Sequence, residues 1–326
     1  MSKEEILERL VTQEIIVAKQ ASFIRDDDRK HPFSIHWELK TILYAGISLL
    51  SSGLGILIYL NIDQISHQAI VAAISALTIA CFAYCFRKHQ PFSRYENTNP
   101  LLFVDFSLLL GCLTFITLEG YLQFQYKFFG DQYDIATIIP AILFAFLAYY
   151  FDHKGVLSMA ITAFASYLGL KIAPLNLIQS GQFSSRNIAI TAILFGLTLI
   201  LLGILSEKKD FKKHFSFTYL TLGGNLAFGA LLYQLFSADL KLLYFIFISG
   251  MSYGFIWYAR KNLSYLFLLM GVIYGYIGFT YSLFYYVPTE IGLILTYFYF
   301  IASSLCVIIF LLKIKEILGV KKHESL

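Results

Sequence analysis

The sequence predicts an all-α protein, a polytopic bundle of transmembrane helices with about ten spans and both termini in the cytosol. Apolar residues make up 58% of the 326-residue chain and charged residues only 14%, whereas roughly a quarter of the residues in soluble proteins are charged. Ten apolar stretches approach the roughly 20 residues that a helix needs to cross a bilayer. Basic residues concentrate in alternate connections between these stretches.

The chain begins with a predicted cytosolic segment, residues 1–38, that contains an amphipathic helix and a charged linker. Ser2 and Glu5 fit a capping box, and apolar residues follow at helical spacing as far as Ile15. The charged run at residues 25–30 indicates a solvated linker. Three roles stay open for the helix: it packs on the membrane face, binds a protein partner, or covers the ends of the bundle.

The apolar stretches follow within a predicted membrane domain, residues 39–313. They lie at residues 41–60, 67–86, 100–120, 133–151, 154–171, 187–205, 215–236, 240–258, 263–284 and 291–312. Short connections predict that neighbouring helices are antiparallel and adjacent. Residues 314–326 are expected to form a basic cytosolic tail.

Lysine and arginine residues divide unequally between the two sides of such a bundle. With the N-terminus inside, 21 of the 25 basic residues fall in inner segments and four in outer ones. Short loops rich in Lys and Arg favour the cytoplasmic side. We therefore expect a multi-pass protein of the cell inner membrane with both termini in the cytoplasm.

The hairpin formed by the third and fourth predicted spans, residues 100–151, carries two intramembrane carboxylates and a proline. Asp105 and Glu119 lie in the third span, where a polar group is costly unless it has a partner. Asp105 either bonds to a neighbouring hydroxyl or draws in water, or else it lines an inner cavity on a solute pathway. Pro140 removes a backbone hydrogen bond from the fourth span and is a candidate hinge.

Two amides complete the set of candidate cavity-lining or substrate-binding residues. Gln123 shares a helix face with Glu119 at i,i+4, so the pair forms either an outer polar pocket or part of an ordinary wet loop. Asn225 in the seventh span is expected to be a buried amide that links two helices, with a flexible break at a site as the alternative. The candidates are therefore Asp105, Glu119, Gln123 and Asn225.

Glycine pairs at i,i+4 occur on two consecutive predicted spans. Gly250 and Gly254 lie on the eighth span, and Gly271 and Gly275 lie on the ninth. This spacing lets the backbones of two helices approach closely. Helix packing is the expected role of both pairs.

Catalysis, metal binding and nucleic-acid binding are not indicated. The sequence has no HExxH motif and no phosphate-cradling glycine loop, so we predict no catalytic residue, no cofactor and no enzyme. Cys81 and Cys85 share a helix face, but no histidine or carboxylate stands beside them, and packing is their expected role. The basic residues form short clusters between apolar runs, which membrane topology explains better than a nucleic-acid partner.

Residues 46–63 (GISLLSSGLGILIYLNID) and 108–131 (LLLGCLTFITLEGYLQFQYKFFGD) carry a family resemblance, as does Pro140 after Ile139. The sequence resembles here a bacterial family of predicted integral membrane proteins, domain of unknown function 2157. The likeness covers roughly residues 1–175. It departs from the family pattern at Asn61-Ile-Asp63, where the family tends to have Asn-Trp-Asp, and in the position of the glutamines before Tyr126. The resemblance implies a bacterial inner-membrane location and no assigned activity.

These observations predict a non-enzymatic accessory or interaction component of the membrane. The expected partners are the lipid bilayer and a protein bound through the N-terminal helix, with no nucleic acid; the oligomeric state stays open. The alternative is a transporter or channel for a small or lipid-like solute, with Asp105, Glu119 and Asn225 along the route.

Overall fold

The computed structural model describes residues 20–21, 36–60, 66–88, 93–94, 102–130, 132–173, 185–287 and 289–319. Within these ranges the chain forms ten α-helices and no strand. The helices are α1 (His36–Leu60), α2 (His67–Lys88), α3 (Leu102–Tyr126), α4 (Ile135–Phe151), α5 (Lys154–Ile172), α6 (Ser185–Lys208), α7 (Phe215–Ser237), α8 (Lys241–Asn262), α9 (Tyr265–Tyr286) and α10 (Thr289–Ile317). Most of the predicted N-terminal helix, and residues 320–326 of the predicted tail, lie outside the described residues.

The prediction of an all-helical, polytopic membrane protein is confirmed. Eight helices, α2, α3 and α5 to α10, are long and apolar enough to cross a membrane. The other two have shorter apolar segments, Thr41–Gly53 in α1 and the 17 residues of α4. At 1.5 Å per residue α4 is about 26 Å long, slightly less than the roughly 30 Å thickness of the hydrocarbon core.

The chain divides into two compact units, residues 1–65 and 66–326. The first contains α1. In the second, consecutive helices pack as pairs: α2 with α3, α4 with α5, α6 with α7, and α8 with α9. Helix α7 is the central element, because it also contacts α5, α8 and α9. In its most apolar 18-residue stretch 61% of the residues are buried, compared with 6–39% in the other spanning helices.

Two buried clusters hold the second unit together. The first lies between α2, α3, α4 and α5 around Leu108, Phe144 and Val156, and it includes Phe215 at the start of α7. The second lies between α7, α8 and α9 around Phe228 and Leu268. Since α7 contributes to both clusters, it joins the two halves of this unit.

Close backbone contact between α6 and α7 depends on two glycines. A Cβ atom on Gly223 would lie 2.7 Å from the Cβ of Leu199 and 2.8 Å from the carbonyl oxygen of Gly196. A Cβ on Gly196 would in turn lie 2.7 Å from the carbonyl oxygen of Gly223. No side chain fits at this crossing, so the two helices pack there through their backbones.

The two predicted glycine pairs behave differently. A Cβ on Gly271 would lie 2.9 Å from the carbonyl oxygen of Ser252, so this glycine packs closely against α8, as expected. The expectation for Gly250 and Gly254 is not met among the described residues, none of which lies within 4 Å of a Cβ built at either position. Their face of α8 points away from the neighbouring described helices.

Large apolar side chains cover the outside of the second unit. Phe298 and Leu312 on α10 are 70% and 79% exposed, and Tyr253 on α8 is 73% exposed. Water would be a poor solvent for such surfaces. Lipid is the solvent that suits them, and the protein is an integral membrane protein.

Candidate functional site

A buried ionic cluster joins two connections at one end of the α2–α10 unit, here called the basic end. Asp152 follows α4 in a left-handed conformation, with φ 61°. Its Oδ1 lies 2.7 Å from the Lys212 Nζ and 2.6 Å from the His214 Nε2, both in the connection between α6 and α7. The side chains of Lys212, His214 and Asp152 are 1%, 6% and 10% exposed.

Hydrogen bonds within and beside the α4–α5 turn and the α6–α7 connection hold the residues of this cluster in place. The ring Nδ1 of His153 accepts a hydrogen bond from the Val156 N–H at 3.1 Å and caps the start of α5. The Ser206 hydroxyl contacts the Lys212 carbonyl oxygen at 3.1 Å, and the Lys212 N–H donates to the Arg94 carbonyl at 3.0 Å. The cluster therefore fastens the α4–α5 turn to the α6–α7 connection.

A pair of tyrosines lies beside this cluster. The hydroxyls of Tyr149 in α4 and Tyr219 in α7 are 2.9 Å apart. The Tyr149 ring stacks on Phe211 of the α6–α7 connection, with centroids 6.1 Å apart and planes at 21°. These contacts add to the attachment of the connection to α4 and α7.

The predicted candidate Gln123 holds a turn after α3. Its Nε2 donates to the Gly130 carbonyl oxygen at 2.7 Å, and its Oε1 accepts from the Phe129 N–H at 2.9 Å. Gly130 and Lys127 have positive φ angles of 61° and 46°, a conformation that side-chain contacts of this kind stabilise. Both polar ends of the amide are thus engaged by the chain itself.

Glu119 lies one turn before Gln123 on the same face and is only 8% exposed. No residue in the described part of the chain forms a hydrogen bond with its carboxylate. Nearby, the Tyr121 hydroxyl is 2.6 Å from His67 Nδ1, and Gln125 Nε2 is 3.2 Å from His67 Nε2. A His67 proton on Nδ1 satisfies both contacts. These polar side chains join the ends of α2 and α3.

The sequence suggested that Asn225 is buried, but in the structure it is exposed on α7. Its Oδ1 accepts a hydrogen bond from the Tyr274 hydroxyl of α9 at 2.9 Å, and its Nδ2 donates to the Thr221 carbonyl at 2.8 Å. The side chain links α7 to α9 from the rim of their interface. The prediction of an amide between two helices is therefore right about the contact and wrong about the burial.

Asp105 and Pro140 occupy separate parts of the second unit. Asp105 is half-buried in the first turn of α3, at the basic end. Pro140 is buried inside α4, which continues through it. Whether Pro140 serves as a hinge stays a prediction, as does a functional role for each of the other candidates.

An apolar groove runs between α4, α5, α6 and α7. Its volume is about 220 Å³, and its lining includes Ala141, Ala145, Leu157, Phe164, Phe195 and Tyr219. The groove exists because the side chains of Ala141 and Ala145 on α4 are small. The rings of Phe164 and Phe195 form one side of it, and Tyr219, which contacts Tyr149, lies at one end. None of the predicted candidate residues lines this groove.

A polar cleft of about 270 Å³ lies at the opposite end, where α6 and α8 begin and α7 ends. Arg186 and Asp239 supply charges, and Gln234 supplies a buried amide whose Nε2 is 3.4 Å from the Arg186 carbonyl oxygen. Lys241 next to it donates to the carbonyl oxygens of Leu235 and Phe236 and so caps α7. None of the predicted candidates lines this cleft either.

Ser252 stands at the centre of a Gly250-Met-Ser-Tyr-Gly254 sequence, which has the G-x-S-x-G spacing of serine hydrolases. That motif works on a sharp strand-to-helix turn that exposes the serine. Here Ser252 is 6% exposed inside α8, and its hydroxyl has no hydrogen-bond partner in the described part of the chain. The geometry is that of a packing residue beside Gly271 and Gly275.

Cys81 and Cys85 are buried, as the packing role expected for them requires, whereas Cys306 is exposed. Cys85 and Cys112 are fully buried, and the Cys85 thiol donates to the Val104 carbonyl at 3.5 Å. In the part of the chain that the structure describes, no three His, Cys, Asp or Glu side chains are grouped so as to share a metal ion.

Together the helices, their apolar outer surface and their polar cross-links define a polytopic α-helical membrane protein. Comparison with known families gives a match to the model described as "Predicted membrane protein (DUF2157)" over residues 8–157. The match confirms the resemblance of the N-terminal half to that family. No curated protein and no solved structure gives a significant match.

Proposed function

We propose that the protein is a non-enzymatic component of a bacterial inner membrane, an accessory or interaction protein with both termini in the cytoplasm. The observation that carries this proposal is the use of polar side chains as links between helices. Thr78 donates to Thr114 at 2.9 Å between α2 and α3, and Tyr274 donates to Asn225 between α9 and α7. Side chains engaged in this way favour a fixed bundle over a solute pathway.

The distribution of basic residues supports the proposed orientation. Lys208, Lys209, Lys212 and Lys213 lie around the α6–α7 connection, and Arg260 and Lys261 lie at the end of α8. Because consecutive helices are antiparallel, these segments belong to one side of the bundle. The positive-inside rule assigns that side to the cytoplasm.

Flux measurements test the non-transport part of the proposal. The purified protein is reconstituted into vesicles, and the entry of uncharged solutes, potassium ions and protons is compared with that of protein-free vesicles. We expect equal rates, and lipids that remain chemically unchanged during the incubation. A flux that rises with protein content would replace the proposal with the transporter alternative, and Asp105→Asn would then test the predicted route. Lipid breakdown would instead indicate an enzyme.

Cross-linking tests the interaction part. A photoreactive residue is introduced at Leu10, on the predicted apolar stripe of the N-terminal helix, or at Glu8 as a matched control. We expect one discrete protein adduct from position 10 and none from position 8. Equal labelling at the two positions, or none at either, would remove the N-terminal helix as a partner-binding element.

A further inference from the structure

We propose that the apolar groove between α4, α5, α6 and α7 holds an acyl chain of an anionic phospholipid, whose phosphate contacts Lys209 and Lys213 at the basic end. This inference does not depend on the proposed function, because either a scaffold or a transporter can hold such a lipid.

The groove suits an acyl chain in size and in chemistry. A water molecule occupies about 30 Å³ of liquid and a methylene group is of similar size, so a volume of about 220 Å³ takes about seven methylene groups. Ala141 and Ala145 form a smooth wall, and Phe164 and Phe195 form the other side. Within a membrane, a lipid chain is the apolar molecule present at the highest concentration beside such a groove.

The chain alone cannot make the site selective. An acyl chain is already in an apolar solvent, so its entry gains packing but no hydrophobic transfer energy. Selectivity must come from the headgroup, and therefore from the charges at the end of the groove. Those charges distinguish an anionic lipid from a zwitterionic one.

Contacts within the structure lead from the groove to a basic rim. Tyr219 lines the groove, and its hydroxyl forms a hydrogen bond with the hydroxyl of Tyr149, whose ring stacks on Phe211. Phe211 lies in the α6–α7 connection between Lys209 and Lys213, and both of these lysines are exposed. The headgroup of a lipid whose chain fills the groove would lie at this connection.

Some charged side chains of this connection are engaged within the protein, and others are exposed and available to a headgroup. Lys212 is 1% exposed and is paired with Asp152, so it cannot serve a headgroup. Glu207 accepts a hydrogen bond from Tyr258 at 2.6 Å. Lys208, Lys209 and Lys213 are exposed, against one exposed carboxylate, Asp210. The accessible charge is therefore positive and matches a phosphate.

Native mass spectrometry of the detergent-solubilised protein tests this site. It compares the binding of phosphatidylglycerol and phosphatidylcholine with identical acyl chains. The variant Lys209→Gln/Lys213→Gln removes two charges from the proposed headgroup contact. Its control, Arg260→Gln/Lys261→Gln, removes two charges at the end of α8 on the same side of the bundle. Near a membrane surface one basic residue contributes about a fivefold preference for an anionic lipid, so the first variant should lose about 25-fold.

A second pair of variants tests the groove. Ala145→Phe fills it, and Leu201→Phe places the same ring on an exposed part of α6. We expect Ala145→Phe to weaken binding of phosphatidylglycerol at least fivefold and Leu201→Phe to leave it unchanged.

Four results would overturn the proposal. These are equal binding of the two lipids by the wild type, an equal loss in both double charge variants, no loss in Lys209→Gln/Lys213→Gln, or full binding by a correctly folded Ala145→Phe. The lysine variants change exposed side chains only, so they decide the matter even if the groove variant fails to fold.

Discussion

Replacing Asp152 by asparagine is expected to destabilise the protein by about 3–5 kcal/mol, the usual cost of leaving one partner of a buried ion pair without its countercharge. Asparagine keeps the size of the side chain and tolerates the left-handed φ of 61°. The change therefore removes charge and little else. Lys212, only 1% exposed, is then left with its ammonium group facing a neutral amide.

Removing the other partner should cost less. In Lys212→Met, the Asp152 carboxylate is still 2.6 Å from the His214 Nε2, and it is 10% exposed rather than sealed. We expect a loss of about 1–3 kcal/mol. The double variant Asp152→Asn/Lys212→Met should be more stable than Asp152→Asn alone, because the buried cation that has lost its Asp152 countercharge is gone.

The assay is equilibrium unfolding in mixed detergent and dodecyl sulfate micelles, followed by circular dichroism. Lys213→Met, at an exposed neighbouring lysine, is the matched control and should change the stability by less than about 0.5 kcal/mol. If Asp152→Asn and Lys213→Met were equally stable, the ionic cluster would not fasten the two connections. An additive double variant would equally contradict a coupled pair.

Three further predictions concern packing and polar links, all measured by the same unfolding assay. Gly223→Ala should cost about 1–3 kcal/mol, because its Cβ would lie 2.7 Å from the Leu199 Cβ. Gly250→Ala is the control and should be neutral or slightly stabilising, because no described residue lies within 4 Å of its Cβ position. Equal effects of the two variants would contradict the α6–α7 crossing. Tyr274→Phe should cost about 0.6–1.7 kcal/mol through loss of the bond to Asn225, and no change would remove that link. Gln123→Leu should cost about 1–3 kcal/mol by leaving the turn after α3 without its two hydrogen bonds, and should expose residues 127–130 to proteolysis; unchanged protection would contradict this role.

The helices follow closely from hydrophobic length, because lipid forces each span to satisfy its own backbone hydrogen bonds. The predicted spans at 67–86 and 215–236 correspond to α2 (His67–Lys88) and α7 (Phe215–Ser237). The predicted end at residue 120 was too early, since α3 continues to Tyr126. Helices persist into the interfacial region, where polar residues no longer signal an end.

The ionic cluster at the basic end could not be predicted from the sequence. Asp152 and Lys212 are 60 residues apart in the sequence and lie in short charged connections. In a membrane protein such connections indicate solvated loops whose charges determine the orientation of the spans. Only the packing of α5 against α7, together with the Tyr149–Tyr219 contact between α4 and α7, brings them together. A sequence cannot show which of four lysines turns inward, because that depends on which backbone conformation the connection adopts.

Two of the predicted polar candidates, Gln123 and Asn225, have hydrogen-bond partners close by. The amides of Gln123 and Asn225 reach neighbouring groups within hydrogen-bond distance, as residues in apolar surroundings must. Their types predicted that partners would exist. Which partners they found depended on helix rotation, and hydrophobic stretches that are apolar all round do not encode rotation.

The structure has several helices able to cross a membrane, and we propose that the basic connections lie together on the cytoplasmic side. The most direct measurement fuses alkaline phosphatase or a cytoplasm-dependent fluorescent protein after residue 210, in the α6–α7 connection, and after residue 239, in the α7–α8 connection. The account predicts fluorescence without phosphatase activity at 210 and phosphatase activity without fluorescence at 239. The same reporter active at both positions would mean that α7 does not span the membrane and would contradict the account.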